Sequence, residues 1–256
     1  MLRAPPGAQA RQRLLEGVLL RLALAPDADA FVLRGGMLVR HWFPEARRTA
    51  RDVDLVCRLP YDPADLRRRL AALLADPRPQ DGVRYDVDRL RLDRLWPDSD
   101  APGLRLFAAG LGDGVPGDLT VDLTFGIDLW PGPVQAELAL PRGRAIVWTC
   151  RPEVLIGRKL RVSADLSRRR WRPKDLADLW WLARVAPARA AVGEALERVD
   201  PDGRTGALLD RGWWADPVAV GKWHRFRGRR PAALPADLHQ VVDDVHALLS
   251  TVTRSR

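Results

Sequence analysis

The stretch that most constrains this chain is FVLRGG at 31–36, followed at 51–55 by RDVDL. Phe31 to Arg34 has the content of a short strand, which Gly35-Gly36 breaks, and Met37 to Phe43 then reads as helix-forming. A glycine pair at a strand-to-helix turn lets backbone approach a ligand, and the helix start behind it offers unpaired N–H groups to an anion. In the second segment Asp52 and Asp54 are two apart on a strand, so both carboxylates leave one face while Val53 and Leu55 leave the other. Two neighbouring carboxylates beside a phosphate cradle are what a magnesium–nucleotide site requires. Hard oxygen ligands hold the metal, and the metal bridges to phosphate oxygens.

Each segment alone has a plainer explanation, because a glycine pair is usually only a turn and Asp-x-Asp is often a solvated edge. Their order and spacing favour a site. The chain also carries its own control: Asp86 and Asp88 form a second DVD, without a glycine turn ahead of it and among Arg84, Arg89 and Arg91. That copy reads as a solvated, charge-balanced strand.

The pattern resembles the nucleotidyltransferase superfamily with the DNA polymerase beta-type fold, and within it the AbiEii/AbiGii-type toxins, the group that includes the MenT-type toxins. Those proteins open with an apolar strand, a K-G-G-[ST]-A-L-like turn and helix, then R-x-[ST]-x-D-[IVL]-D-L. Here the first reads Arg34-Gly35-Gly36-Met37-Leu38-Val39 and the second Arg48-Thr49-Ala50-Arg51-Asp52-Val53-Asp54-Leu55. Met37 and Ala50 stand where hydroxyl residues are usual, and Arg34 where lysine is common. The resemblance implies Asp52 and Asp54 as metal ligands, with Arg34, Gly35, Gly36 and Arg48 at the nucleotide.

A third carboxylate should come from DLTVDLTFGIDL at 118–129, where β-branched and aromatic residues flank Asp122. Asp118, Asp122 and Asp128 could share a face of an unbroken strand, although Gly126 favours a break before Asp128. Asp122 in V-D-L-T-F-G is similar to the family's third motif, which implies a metal ligand and general base. An ordinary exposed Asp of an alternating strand is the alternative. The family's fourth motif, a helix carrying lysine and then [RK]-D-L-x-D-L, resembles Lys159 and Lys174-Asp175-Leu176-Ala177-Asp178-Leu179. Of 42 basic residues only three are lysine (Lys159, Lys174 and Lys222), and two fall in this segment. Lysine is a compact point charge suited to a phosphate, so Lys159 is expected at the triphosphate, and Asp175 and Asp178 in helix-docking contacts near the site. Lys174 and Asp178, four apart, could instead form a surface ion pair.

A formal charge of +9 suggests a polyanionic partner, tempered by the arginine-rich style of the whole sequence. Two cysteines, Cys57 and Cys150, give neither zinc spacing nor a disulfide framework, which suits a reducing cytoplasm. No segment reads as a membrane span. LLEGVLLRLALA at 14–25 is interrupted by Arg21, while Leu15, Val18, Leu19 and Leu22 mark one face of an amphipathic helix. Six of ten tryptophans lie beyond residue 150 (Trp171, Trp180, Trp181, Trp213, Trp214 and Trp223); Trp180 and Trp181 are expected in core. In WHRFRGRRP at 223–231, Arg225, Arg227, Arg229 and Arg230 surround Trp223 and Phe226, either an RNA-phosphate patch or a solvated basic loop.

The expected fold is α/β: residues 1–150 form a mixed-sheet, DNA polymerase beta-like nucleotidyltransferase core, and 151–256 a helical C-terminal domain that completes the active-site cleft. Expected strands are 83–95, 104–111, 118–125, 134–140 and 145–149; expected helices are 63–74, 153–164, 173–185, 188–198 and 235–250. The resemblance implies transfer of a nucleoside monophosphate from an NTP, with two Mg2+ ions, to an acceptor such as the 3′ end of tRNA. It also implies a toxin opposed by a cognate antitoxin, with no cofactor beyond metal and NTP. A protein or small-molecule acceptor stays open. So does a catalytically silent RNA- or partner-binding protein on the same fold, favoured by the two missing hydroxyls and opposed by the three carboxylates.

Overall fold

The computed structural model describes residues 6–46, 48–96, 102–166, 170–185, 189–209, 217–228 and 234–253. The chain divides into two compact units. One comprises Met1–Trp42, Arg48–Ile127 and Pro133–Thr149; the other comprises Phe43–Arg47, Asp128–Gly132 and Cys150–Arg256.

The first unit is a mixed sheet with helices. Its strands are β1 (Phe31–Arg34), β2 (Val53–Cys57), β3 (Val83–Tyr85), β4 (Arg91–Leu95), β5 (Gly103–Gly112), β6 (Val115–Thr124), β7 (Val134–Leu140) and β8 (Gly143–Thr149). They pair in the order β3-β5-β6-β2-β1-β8-β7, with β4 alongside β5 beyond the stretch that β3 occupies. The β2–β6 and β1–β8 pairs are parallel and the rest antiparallel. Helix α1 (Pro6–Leu22) packs on β5, β6 and β8 and buries Leu14, Leu15, Val18, Leu19 and Leu22. Arg21, the residue that interrupts the apolar run 14–25, is itself buried: its guanidinium reaches Asp81 at 2.7 Å and lies over the Tyr85 ring. The buried charge is tolerated because it is paired. Helix α2 (Gly35–Trp42) leans on β1 and β2. Helix α3 (Pro63–Ala75) starts as its sequence predicts, with Pro63 in the first turn and the Asp62 carboxylate accepting from the Ala64 and Asp65 amides. Such a cap contributes about 1 kcal/mol.

Among the described residues of the second unit, regular structure is helical: α4 (Pro152–Asp165), α5 (Pro173–Leu182), α6 (Arg189–Val199), α7 (Pro217–Gly228) and α8 (Leu238–Thr253), with short 3-10 turns.

Three expectations are corrected. The span 83–95 is two strands, and the second DVD lies in the turn between them, where Asp86 accepts from the Arg89 amide and Asp88 is exposed. Its short polar side chains hydrogen-bond local backbone more readily than they pack in a strand. Residues 223–228 are helix α7 rather than loop, with Trp223 fully buried and donating from Nε1 to the Pro235 carbonyl. Trp223 is therefore core and unavailable to a base, while Trp213, Trp214, Arg229 and Arg230 lie outside the described residues. No helix among the described residues is long and apolar enough to cross a membrane.

Candidate active site

Strand β1 runs directly into α2 at Gly35. Gly35 has φ +71°, and a Cβ there would lie 1.9 Å from Asp54 Oδ2 and 2.5 Å from its Cγ. Any side chain at 35 would strain the backbone and occupy the volume of the carboxylate. The Gly36 amide donates to Asp54 Oδ2 at 3.4 Å. The helix start that the sequence offers to an outside anion thus already faces an anion of the chain itself.

Register builds the rest. Arg34 is opposite Asp54 across β1–β2, Asp54 is opposite Asp122 across β2–β6, and Asp122 is opposite Arg105 across β6–β5. Arg105 is opposite Asp93 across β5–β4. Register partners share a face, so a single row reads Arg34, Asp54, Asp122, Arg105, Asp93. Arg34 Nη2 stands 3.7 Å from Asp54 Oδ1. Arg105 grips Asp122 with both ends of its fork, Nε to Oδ1 and Nη2 to Oδ2, each at 2.6 Å. These bonds push the Arg105 pKa above its ordinary value against the opposing effect of burial, and the charges of Asp122, Asp52 and Asp54 add to the rise. Asp93 pairs with Arg91 at 3.1 Å.

Asp52 lies one residue ahead of β2 rather than on it, half-buried. Asp122 is nearly buried on β6, which begins earlier than expected at Val115. Asp118 is exposed on the same strand, and Asp128 lies beyond it, paired with Arg198 at 2.8 Å. Among the described residues no group of three His, Cys, Asp or Glu side chains stands at metal-holding spacing; Asp122 turns both oxygens onto Arg105. The donor chemistry nevertheless fits a hard divalent cation. Asp52, Asp54 and Asp122 are all carboxylates, the oxygen-donor class that such a cation takes.

Arg48 is positioned over the glycine turn: its Nη2 would be 3.4 Å from a Cβ on Gly36, and its Nη1 donates to the Thr49 carbonyl at 2.7 Å. The two residues that replace hydroxyls are both buried. Met37 faces α1, with its sulfur 3.8 Å from Gln12 Nε2, and the Ala50 methyl would be 3.8 Å from a Cβ on Gly36.

In the second unit, the Lys159 ammonium on α4 donates to Asp178 Oδ2 at 2.7 Å and Asp175 Oδ1 at 3.2 Å on α5. Arg172 Nε reaches the other Asp175 oxygen at 2.6 Å. Asp178 is 1% exposed and pairs with Lys159, a contact between helices rather than the alternative of a surface pair with the exposed Lys174. A carboxylate that deep retains its charge only beside a buried cation.

Sequence reasoning missed Arg105, and a signal for it exists. Asp113-Gly114 joins β5 to β6 as a two-residue loop, with φ +51° and +79° at the two positions. An Asp-Gly pair with both residues left-handed is the preferred tight hairpin turn, and it sets the pairing of the strands it joins. Counting back from it places Arg105 opposite Asp122.

The chain matches, over residues 17–244, the family described as nucleotidyl transferase AbiEii toxin, type IV TA system. No curated protein matches it. Among solved structures, Helicobacter pylori JHP933 is 16% identical with a TM-score of 0.51, over 97% of this chain and 92% of that one. A candidate nucleotidyltransferase from H. pylori is 17% identical with a TM-score of 0.49, over 96% of each chain. At 16% identity the likeness to JHP933 concerns the fold alone. The family match spans most of the chain, which therefore belongs to the AbiEii nucleotidyl transferase toxin family of type IV toxin–antitoxin systems and is a nucleotidyltransferase.

Proposed function

We propose that this chain moves a nucleoside monophosphate from an NTP to the 3′ end of an RNA, tRNA foremost, in the cytoplasm, as the toxin that a cognate antitoxin restrains. In this reading the first unit is a DNA polymerase beta-like core and 151–256 a helical C-terminal domain. The observation that carries it is the in-register Asp54–Asp122 pair beside the Gly35-Gly36 turn.

Asp52, Asp54 and Asp122 would hold two divalent cations. Bound magnesium would supply Lewis-acid charge to the phosphate oxygens. The Gly35-Gly36 backbone and the Arg34 and Arg48 guanidinia orient the triphosphate, since fixed donors at a helix start suit phosphate oxygens. The acceptor hydroxyl oxygen forms a bond to the α-phosphorus as the bond to the β-phosphate oxygen breaks, and pyrophosphate leaves with that electron pair. Asp122 takes the hydroxyl proton, which requires one of its oxygens to leave Arg105. Arg225 and Arg227 on α7 are assigned to RNA phosphates. Lys159 is kept as a phosphate contact in a separate proposal, tested by whether its removal alters nucleotide affinity or only stability.

Purified protein incubated with each labelled NTP, total tRNA and magnesium tests the reading. Label in RNA that disappears in Asp54→Asn supports it, while label on the protein or a small molecule reassigns the acceptor. The Arg105 grip on Asp122 favours a second reading, a silent RNA- or partner-binding protein. RNA binding without any transfer of label would establish that one instead.

A further inference from the structure

Gly103 opens β5 two residues before Arg105, in unbroken register with Thr124 on β6. Residues two apart on a strand share a face, so the missing side chain of Gly103 would point where Arg105 and Asp122 point. That place is taken by Trp96 and the Leu123 carbonyl: a Cβ on Gly103 would lie 3.0 Å from Cζ3 and 3.1 Å from Cε3 of the indole, and 3.0 Å from Leu123 O. The benzo ring therefore rests against bare backbone, beside the row that holds the carboxylates. Trp96 is also 53% exposed and has φ +49°, a left-handed conformation that is unusual for a bulky aromatic residue. Burial does not account for this arrangement, because the residue is half exposed. The diagonal from Gly103 to the Asp122 position on the next strand is about 7–8 Å, a span that the sugar of one nucleotide bridges.

We propose that Trp96 is a stacking platform for a nucleobase whose phosphate lies at the Asp54–Asp122 row. The proposal rests on the nucleotidyltransferase site described above and adds the base subsite to it. Stacking tolerates any base, because every base has a π-face. Trp96 thus contributes affinity, and base preference comes from other groups. The base is either that of the NTP or the terminal base of the RNA acceptor, and both are the same chemistry to an indole.

The test compares wild type, Trp96→Phe, Trp96→Ala and Gly103→Ala. Equilibrium dialysis in magnesium buffer would measure binding of the four NTPs, inorganic tripolyphosphate and a short RNA with a free 3′ end. Circular dichroism and melting curves confirm folding, which an exposed side chain leaves intact. Trp96→Ala is expected to weaken NTP or RNA binding by about five-fold to about a hundred-fold, to leave tripolyphosphate binding unchanged, and to be largely rescued in Trp96→Phe. Gly103→Ala presses on the indole and on the Leu123 carbonyl alike; it should reproduce part of the base-dependent loss, and in the Trp96→Ala background it should add no further loss. A loss confined to NTPs places the donor base on Trp96, and a loss confined to RNA places the acceptor base there. Unchanged affinity for both ligands overturns the platform while leaving the nucleotidyltransferase site intact, and an equal loss for tripolyphosphate shows the indole to be only structural. Wild-type protein that binds neither NTP nor RNA refutes the site and the platform together.

Discussion

Replacing Arg105 by Met isolates the electrostatics of the carboxylate row. The substitution removes two charged hydrogen bonds of 2.6 Å from a carboxylate whose side chain is 8% exposed, leaving Asp122 beside Asp54 on the neighbouring strand. Breaking a fully buried pair costs about 3–5 kcal/mol. Arg105 is 36% exposed, so water and salt already screen it and the figure falls to about 2 kcal/mol. For a chain of this size that is a fall of roughly 4–8 °C in Tm. Magnesium should then distinguish the proteins. In Arg105→Met the Asp122 oxygens no longer answer to a guanidinium, whereas in the wild type a cation must compete for them. A cation at ten times its Kd returns about 1.4 kcal/mol, so melting curves with and without magnesium should show a larger rise for the variant than for the wild type. Arg91→Met, which breaks the exposed pair with Asp93, is the control and should shift Tm by little. A wild-type Tm in Arg105→Met, or a magnesium shift no greater than the wild type's, would refute the idea that Arg105 stands in for a cation.

Asp54→Asn should abolish transfer of label from NTP to acceptor while Asp88→Asn, in an exposed turn, keeps it; transfer surviving in Asp54→Asn removes the carboxylate assignment. Gly35→Ala should lose activity and about 1–3 kcal/mol of stability in denaturant titrations, since its methyl falls on the Asp54 carboxylate; a wild-type midpoint with full activity would contradict that overlap. Lys159→Ala removes the ammonium from the buried Asp178 and Asp175 carboxylates, so a loss of about 3–5 kcal/mol should accompany any rise in KM for NTP; a higher KM at unchanged stability would make Lys159 a phosphate contact alone. Burial pushes the Asp200 carboxyl up, but hydrogen bonds from the Thr205 hydroxyl and amide, the Arg204 amide and Arg161 outweigh it and hold the pKa below its ordinary value. Its stabilisation is therefore complete above about pH 4 and fades as pH falls through the lowered value, so Asp200→Asn should be less stable than wild type at pH 7 and lose less on acidification.

Local pattern made much of the first unit legible. The strand Phe31–Arg34 and the helix behind it follow from an apolar run ended by glycine, and strand 134–140 coincides with the expected span between Pro/Gly turns. Asp62-Pro63 likewise marks the start of α3 because capping chemistry is local. Where tertiary burial decides, the pattern misleads. PVAVGKWHRFRG contains Gly221 and two valines, weak helix formers, yet becomes α7 by burying Ala219 and Trp223. The basic residues around Trp223 suggest an open platform, whereas helical geometry turns its indole inward. Arg21 and Asp178 look like surface charges because sequence shows charge but not the partner that makes burial tolerable. The carboxylates stand out as a motif, while Arg105 emerges only when register is counted from the Asp113-Gly114 turn.

That turn links the stability of the site to its chemistry. A slip of one residue in the β5–β6 pairing would send Arg105 to the opposite face and leave Asp122 without its countercharge. The chain thus holds its mutually repelling carboxylates together with its own donors: the Gly36 amide and Arg34 at Asp54, and Arg105 at Asp122. In the proposed site each of these donors would compete with a cation for the same oxygens, so a better-neutralised row would bind metal more weakly. The stability–function opposition common in active sites falls here on particular atoms. Asp122 is held by two short bonds, whereas Asp54 is held by longer contacts of 3.4 and 3.7 Å. In the proposed site, Asp54 would therefore be the carboxylate that yields first to a cation, and the Arg105 fork would set how readily Asp122 follows.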